Sequence, residues 1–288
     1  MVACLQEPPG LLRRTIYGVL KIQSAFVSSL RKRRKQSLYK GVSAYREQLL
    51  TETCRAPATA YPKLRYMQKM TNFNIKIVSD TVCPWCYVGK KRLDRAIELY
   101  RKTYPTGRDD TFTISWAPFY LDPTSPAVGI PVMERMAQKF GSERLGMIQQ
   151  RLTMAGQEEG INFAFTGRIG NTRDSHRLIQ LGKTKGNDVE NRVVAELFKS
   201  YFEGDGDITS HTTLIAAGEK AGLATSEVKE WLETGKGGAE VDKEVQEAYA
   251  HGISGVPNFT IQGSHSIGGA QDPEVFLATF ARIKESSK

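Results

Sequence analysis

Along FNIKIVSD (73–80), Phe73, Ile75 and Ile77 alternate with Asn74 and Lys76, the period of a strand with one buried face. Beyond a pair of cysteines the period lengthens. Leu93, Ala96, Ile97 and Tyr100 fall at i, i+3, i+4 and i+7, an amphipathic helix. TFTISWAPF (111–119) returns to alternation at Phe112, Ile114 and Trp116, so a parallel strand pair with a right-handed crossover is the simplest arrangement. From Ile130 to about Gly252 the period is helical throughout. Val189, Val193, Leu197 and Tyr201 mark one helix; Val228, Trp231 and Leu232 mark another, with Thr225 or Ser226 as its cap. Val241, Val245, Ala248 and Tyr249 mark a third, after the break GKGG (235–238). Strand patterning returns at PNFTIQGSHSIGG, with Phe259 and Ile261, a Gly263-Ser264 turn and a short strand near Ile267. Asp272-Pro273 then opens a last helix with Phe276, Phe280 and Ile283 inward. The order β-α-β, helical block, β-β-α predicts an α/β fold: two halves of one sheet, interrupted by a large all-helical insertion at about 130–252, in a domain spanning 72–285.

Charge changes the picture mainly by where it sits. The net charge is +9, but residues 1–71 hold 14 basic and 3 acidic residues, a charge of +11, which leaves the body at −2. A nearly neutral body argues against nucleic acid, whose phosphates require a basic face. No run approaches the roughly eighteen apolar residues of a membrane span, so no membrane partner is expected. In the leader, Leu12, Ile16, Val19, Val27 and Leu30 recur at helical spacing amid arginines, as in a mitochondrial presequence, and RKRRK (31–35) resembles a nuclear signal. A disordered tail, or a mis-assigned start with translation beginning at Met67 or Met70, is the preferred reading. The expected compartment is the cytoplasm, or the mitochondrion if the leader targets.

The chain has four cysteines, Cys4, Cys54, Cys83 and Cys86, too few for a disulfide-stapled secreted scaffold. Cys83 and Cys86 stand where strand gives way to helix, with Pro84 in the first turn and Trp85 between them. Free N–H groups and the positive end of the helix dipole favour a thiolate at Cys83, the expected nucleophile. Cys86, one turn further in, is placed to resolve a mixed disulfide. A zinc site would need two more ligands close by. The other cysteines are isolated and His176, His211, His251 and His265 form no close pair, so no metal is expected. Two inert buried thiols remain the plain alternative. In GISGVPNF (252–259), Val256-Pro257 precedes the second half of the sheet; a trans turn is the ordinary reading of such a step.

Three further residues carry two readings each. Asp80 is either a strand-end residue or a carboxylate that accepts a proton from Cys86. His176 and Arg177 lie early in a helix capped by Asn171; they are surface residues, or they contact an acidic group of the substrate. Trp116, Phe119 and Trp231 read as core. No phosphate loop, dinucleotide fingerprint or nucleophile elbow occurs.

SDTVCPWC, the GVP before the late hairpin, the helical insertion and NTRDSHRL (171–178) together resemble the DsbA-like thioredoxin-fold family, in its FrnE-like branch. The resemblance spans about 72–285. It implies a thioredoxin-like fold, Cys83 as nucleophile, Cys86 as resolving thiol, and Pro257 in cis in a loop facing the pair. The backbone of Val256 in such a loop pairs with an extended substrate, and Pro84, Trp85, Val256 and Pro257 become substrate-contacting positions. The expected activity is thiol–disulfide exchange on a disulfide-containing protein or a small-molecule thiol. No tightly bound cofactor is implied, and glutathione is a candidate co-substrate. DsbA carries histidine where this chain has Trp85, so a less depressed Cys83 pKa and a weaker oxidant are expected. The rival is a glutathione-dependent transferase or isomerase of the kappa-class type, relatives in which serine commonly takes the first position. A third reading is an inert binding module. An apolar face on the insertion is compatible with a homodimer.

Overall fold

The computed structural model of the protein describes residues 70–286 except Thr106, so the expectations for the basic leader lie outside the described residues. Strand β1 (Asn72–Ser79) is followed by helix α1 (Pro84–Thr103) and strand β2 (Thr111–Pro118). β1 and β2 pair in parallel, Ile77 opposite Trp116, as the β–α–β pattern requires. β5 (Asn258–Ile261) joins the other side of β1 antiparallel, Ile77 opposite Phe259, and β6 (His265–Gly268) completes the order β2-β1-β5-β6. Helix α9 (Pro273–Ser286) begins with its proline, as expected. α1 and α9 lie on the face to which Phe73, Ile75 and Ile77 point. There Phe73, Tyr100, Phe112 and Phe280 form one aromatic cluster, with centroids 4.8–5.8 Å apart.

Alternation in β1 stops at Val78, because both faces are covered there. Val78, Ala117, Phe119 and Ala248 form a second small cluster, Ala248 coming from helix α8 (Gly238–Ala250). The expectation of helix throughout 130–252 is corrected by a two-stranded ribbon. β3 (Ile130–Pro131) pairs with β4 (Arg168–Ile169), and between them lie α2 (Val132–Phe140), a short 3-10 turn and α3 (Leu145–Glu158). The rest of the insertion is α4 (Arg173–Thr184), α5 (Asn187–Phe202), α6 (His211–Lys220) and α7 (Thr225–Glu233) before α8. Neither Thr225 nor Ser226 caps α7. Ala224 occupies the cap, and its carbonyl accepts the first helical bond from Val228 N–H, so the hydroxyls fall inside the first turn. Trp116 and Phe119 are buried core residues, whereas Trp231 is half-buried against it.

The insertion is fastened to the sheet by side chains that seal its β2 edge. The Trp116 N–H donates to Glu190 Oε1 (2.9 Å), and Asn187 and Asn191 amides donate to the Ile114 carbonyl (2.5 and 2.7 Å). The Trp116 indole N–H donates to Asn191 Oδ1 at 2.9 Å. α5 thus satisfies the backbone groups of an edge strand, where open pairing sites otherwise invite other chains. Among the described residues, no helix is long and apolar enough to cross a membrane.

Candidate functional site

β1 ends at Ser79 and the chain turns at once into α1. The turn is closed by Cys83 N–H donating to the Asp80 carbonyl (3.1 Å), and Cys86 N–H then donates to the Cys83 carbonyl (3.0 Å). Cys83 is the cap residue, with extended backbone (φ −87°, ψ 110°), and Pro84 takes the first turn, where its missing N–H has no intrahelical partner. No side chain caps this helix, and Cys83 stands at its N-terminal, positive end.

Both thiols are free and both are buried, Cys86 completely. Cys83 Sγ lies 3.6 Å from the carbonyl oxygen of Val256, and the Val256-Pro257 peptide bond is cis. Gly89 makes this approach feasible. A Cβ there would come within 3.1 Å of the Pro257 and Phe259 side chains, a tight contact to which those rings would have to yield by a few tenths of an ångström. Burial, and then the neighbouring Cys83 thiol, push the Cys86 thiol well above the ordinary range; the Ser79 hydroxyl and the Asp80 backbone act the other way.

Behind the pair lies Asp80, 1% exposed. Its Oδ2 accepts from Leu121 N–H at 2.8 Å, while its Oδ1 faces His176 Nε2 at 3.6 Å. These two facing atoms are the buried side-chain polar atoms without a hydrogen-bond partner among the described residues. Burial chiefly, together with the Asp80 charge, raises the Tyr201 and Tyr249 phenols, and Asp80 adds to the rise of Tyr120.

The structure separates His176 from Arg177 and corrects the expectation that they lie on the surface. Neither is a surface residue, each being 3% exposed, and neither lines the space in front of Cys83. His176 packs behind Asp80, its ring centroid 5.9 Å from that of Tyr120. Arg177 donates to the carbonyls of Trp231, Leu232 and Lys236 and to Asp174, so its guanidinium is committed to the C-terminal end of α7. The cap of α4 is Thr172, although Asn171 Oδ1 still accepts from Arg173 N–H (2.9 Å).

In front of Cys83 is a cavity of about 570 Å³, which the sequence reading missed. Cys83, Pro84, Trp85 and Val256 form one wall. α2 and α3 overhang it, bringing Arg135, Met136, Lys139 and Arg151, and Phe163 and Phe165 close another side. The only signal of this in the sequence is the amphipathic pattern of 132–140, which does not say what its apolar face meets. Among the described residues, no group of three or more His, Cys, Asp or Glu is placed to hold a metal ion.

The family model of the DSBA-like thioredoxin domain matches residues 74–281. The uncharacterized protein YwbO of Bacillus subtilis is 29% identical over 206 residues, 70% of this chain and 93% of that one. The fold is similar to that of a probable DsbA oxidoreductase from Streptomyces coelicolor, with a TM-score of 0.66, 26% identity, and coverage of 75% of this chain and 91% of the other. A 2-hydroxychromene-2-carboxylate isomerase shares the fold at TM-score 0.55 and 15% identity, over 74% of this chain and 97% of its own.

Proposed function

Since the chain belongs to the DSBA-like thioredoxin-domain family, we propose that it is a thiol–disulfide oxidoreductase working through Cys83 and Cys86. The observation that carries this reading is one juxtaposition: Cys83 at an uncapped helix start, its sulfur 3.6 Å from the Val256 carbonyl, with Cys86 fully buried one turn behind. In this scheme the Cys83 thiolate attacks one sulfur of a substrate disulfide and expels the other as thiolate. Cys86 then attacks Cys83 Sγ, releases the second substrate thiol and closes the Cys83–Cys86 disulfide; two electrons pass to the substrate. Val256 and Pro257 supply the backbone against which the substrate lies, and Pro84 and Trp85 its other wall. Asp80 is the acceptor proposed for the Cys86 proton. The Asp80 backbone hydrogen-bonds to Cys86, so the two residues are neighbours, and the buried carboxylate keeps one oxygen, Oδ1, without a hydrogen-bond partner among the described residues. His176, facing that oxygen, is a positioning residue. The working unit is 72–285, with 130–252 as its insertion. Glutathione is a candidate for recycling the pair, and a disulfide-containing protein or a small thiol compound is the candidate substrate.

A glutathione-dependent transferase or isomerase is the second reading, favoured by the cavity beside Cys83. The two separate in one experiment. The full chain is equilibrated across glutathione redox buffers and its thiols are read by alkylation and intact mass, with Cys83→Ser as control. Exchange predicts a reversible two-electron transition that the substitution abolishes. Thiols that never pair, in a protein that turns over an electrophile with glutathione, would overturn it.

A further inference from the structure

We infer, on the premise that Cys83 exchanges disulfides, that the cavity selects small disulfides or thiols built from an apolar body and an anionic group. Four observations carry this. First, Cys83 is buried yet forms part of the cavity wall. A volume of about 570 Å³ falls within the roughly 300–1,000 Å³ of small-molecule sites. The wider groove on the far side of the Val256-Pro257 loop, about 850 Å³, includes neither cysteine.

Second, α2 is strongly amphipathic but buries none of its residues. Val132, Met136 and Phe140, four apart on one face, line the cavity opposite Trp85, with Ile148 and Leu152 of α3 beside them. A helix with such a face ordinarily covers it with protein; this one turns it to an open space.

Third, the polar lining is cationic. Arg135 is held by Asp122. Arg151 and Lys139 have no carboxylate partner within ion-pair distance among the described residues; the Arg151 guanidinium lies 5.3 Å from the centre of the Trp85 ring. Of the two acids in the lining, Asp122 is taken by Arg135, and Asp80 is buried against the Leu121 N–H. Lys139 Nζ lies 5.9 Å from the centre of the Phe140 ring, so an anion entering the cavity finds two cations in its lining that stack on aromatic rings and are held by no carboxylate among the described residues.

Fourth, Phe165 in the wall has φ 57°, a left-handed backbone uncommon for a bulky residue and of the kind that clusters at ligand-binding and active sites.

The chemistry is balanced by the pair itself. Cys83 displaces one substrate thiolate, Cys86 displaces the second, and one disulfide is reduced as one forms.

The test compares three disulfides on the reduced full-length chain carrying Cys4→Ser and Cys54→Ser, so that only Cys83 and Cys86 can react: 5,5′-dithiobis(2-nitrobenzoate), aromatic with carboxylates; 2,2′-dithiodipyridine, aromatic and uncharged; and oxidised glutathione, anionic and polar. Each rate constant is divided by that of free 2-mercaptoethanol with the same reagent. The expected order places the nitrobenzoate first, on the order of tenfold above glutathione, and R151Q with K139Q removes most of its lead over dithiodipyridine. A second readout needs no exchange. The Cys83→Ser, Cys86→Ser chain is titrated with 8-anilinonaphthalene-1-sulfonate. It is expected to bind one molecule, displaced by 2-nitrobenzoate and weakened by R151Q with K139Q. Normalised rates that are equal for all three, with no stoichiometric dye bound, overturn the cavity inference and leave the exchange reading standing. No reaction with any disulfide, with one dye molecule bound and weakened by the substitutions, overturns the exchange reading and supports the cavity.

Discussion

Cys86 and Trp85 are the two residues of the candidate CxxC segment at which the proposed exchange makes the most direct predictions. Burial, with the Cys83 thiol beside it, raises Cys86, so at a given pH it holds less thiolate than a free cysteine. In Cys83→Ser, iodoacetamide is expected to label Cys86 more than about tenfold slower than free cysteine at pH 8. The rate should still be climbing at pH 10; a plateau by pH 9 would contradict the raised value. Trp85 offers no positive charge to a Cys83 thiolate. Trp85→His supplies one, stabilises the reduced form, and is expected to make the reduction potential less negative by more than about 30 mV, the step that changes the equilibrium tenfold. Glutathione-buffer titration checks this, and an unchanged midpoint would mean that position 85 does not tune the pair. The pair itself is plain in the sequence, since strand, CxxC and helix are contiguous. The burial of His176 and Arg177 is not, because nothing local says that α4 is covered by α7 and α8.

At the scale of elements, the insertion is joined to the sheet by hydrogen bonds to the backbone of β2. Asn191 donates to the Ile114 carbonyl and accepts from the buried Trp116 indole, so one amide satisfies two groups of the edge. Asn191→Leu leaves the indole N–H buried without a partner, and is expected to lower unfolding free energy by about 1–3 kcal/mol in urea. A melt within about 0.5 kcal/mol of the parent, typical of plain surface changes, would mean that α5 is not the lock on β2. The insertion helices α5, α7 and α8 were readable from their apolar spacing. The β3–β4 ribbon was not, because two-residue strands are too short to show a period.

At the scale of the whole molecule, one buried ion pair ties the last helix of the described residues to the starts of β1 and β2. Lys284 Nζ of α9 lies 2.6 Å from Asp110 Oδ1, and both side chains are almost fully enclosed. Asp110 also accepts from the Tyr100 hydroxyl and the Thr71 N–H, each at 2.8 Å. α1, α9 and the starts of β1 and β2 thus meet at one carboxylate. Lys284→Met leaves that charge without its cation and is expected to cost about 3–5 kcal/mol, measured by denaturant unfolding. A loss below 1 kcal/mol would show that Tyr100 and Thr71 suffice to hold it.

By itself the sequence determined the two halves of the sheet, the helical nature of what divides them, and the Cys83–Cys86 and Val256-Pro257 elements. Each depends on residues a few positions apart, where period, caps and proline act directly. Only the tertiary structure decided that Val256, 173 residues beyond Cys83, brings its carbonyl to that sulfur. It likewise decided that Asp80 faces His176, that Arg177 closes α7, and that α2 and α3 hang over the pair with Arg151 on Trp85. Those juxtapositions are made by packing between elements far apart in the chain, and an apolar stripe states only that it must meet something, not what.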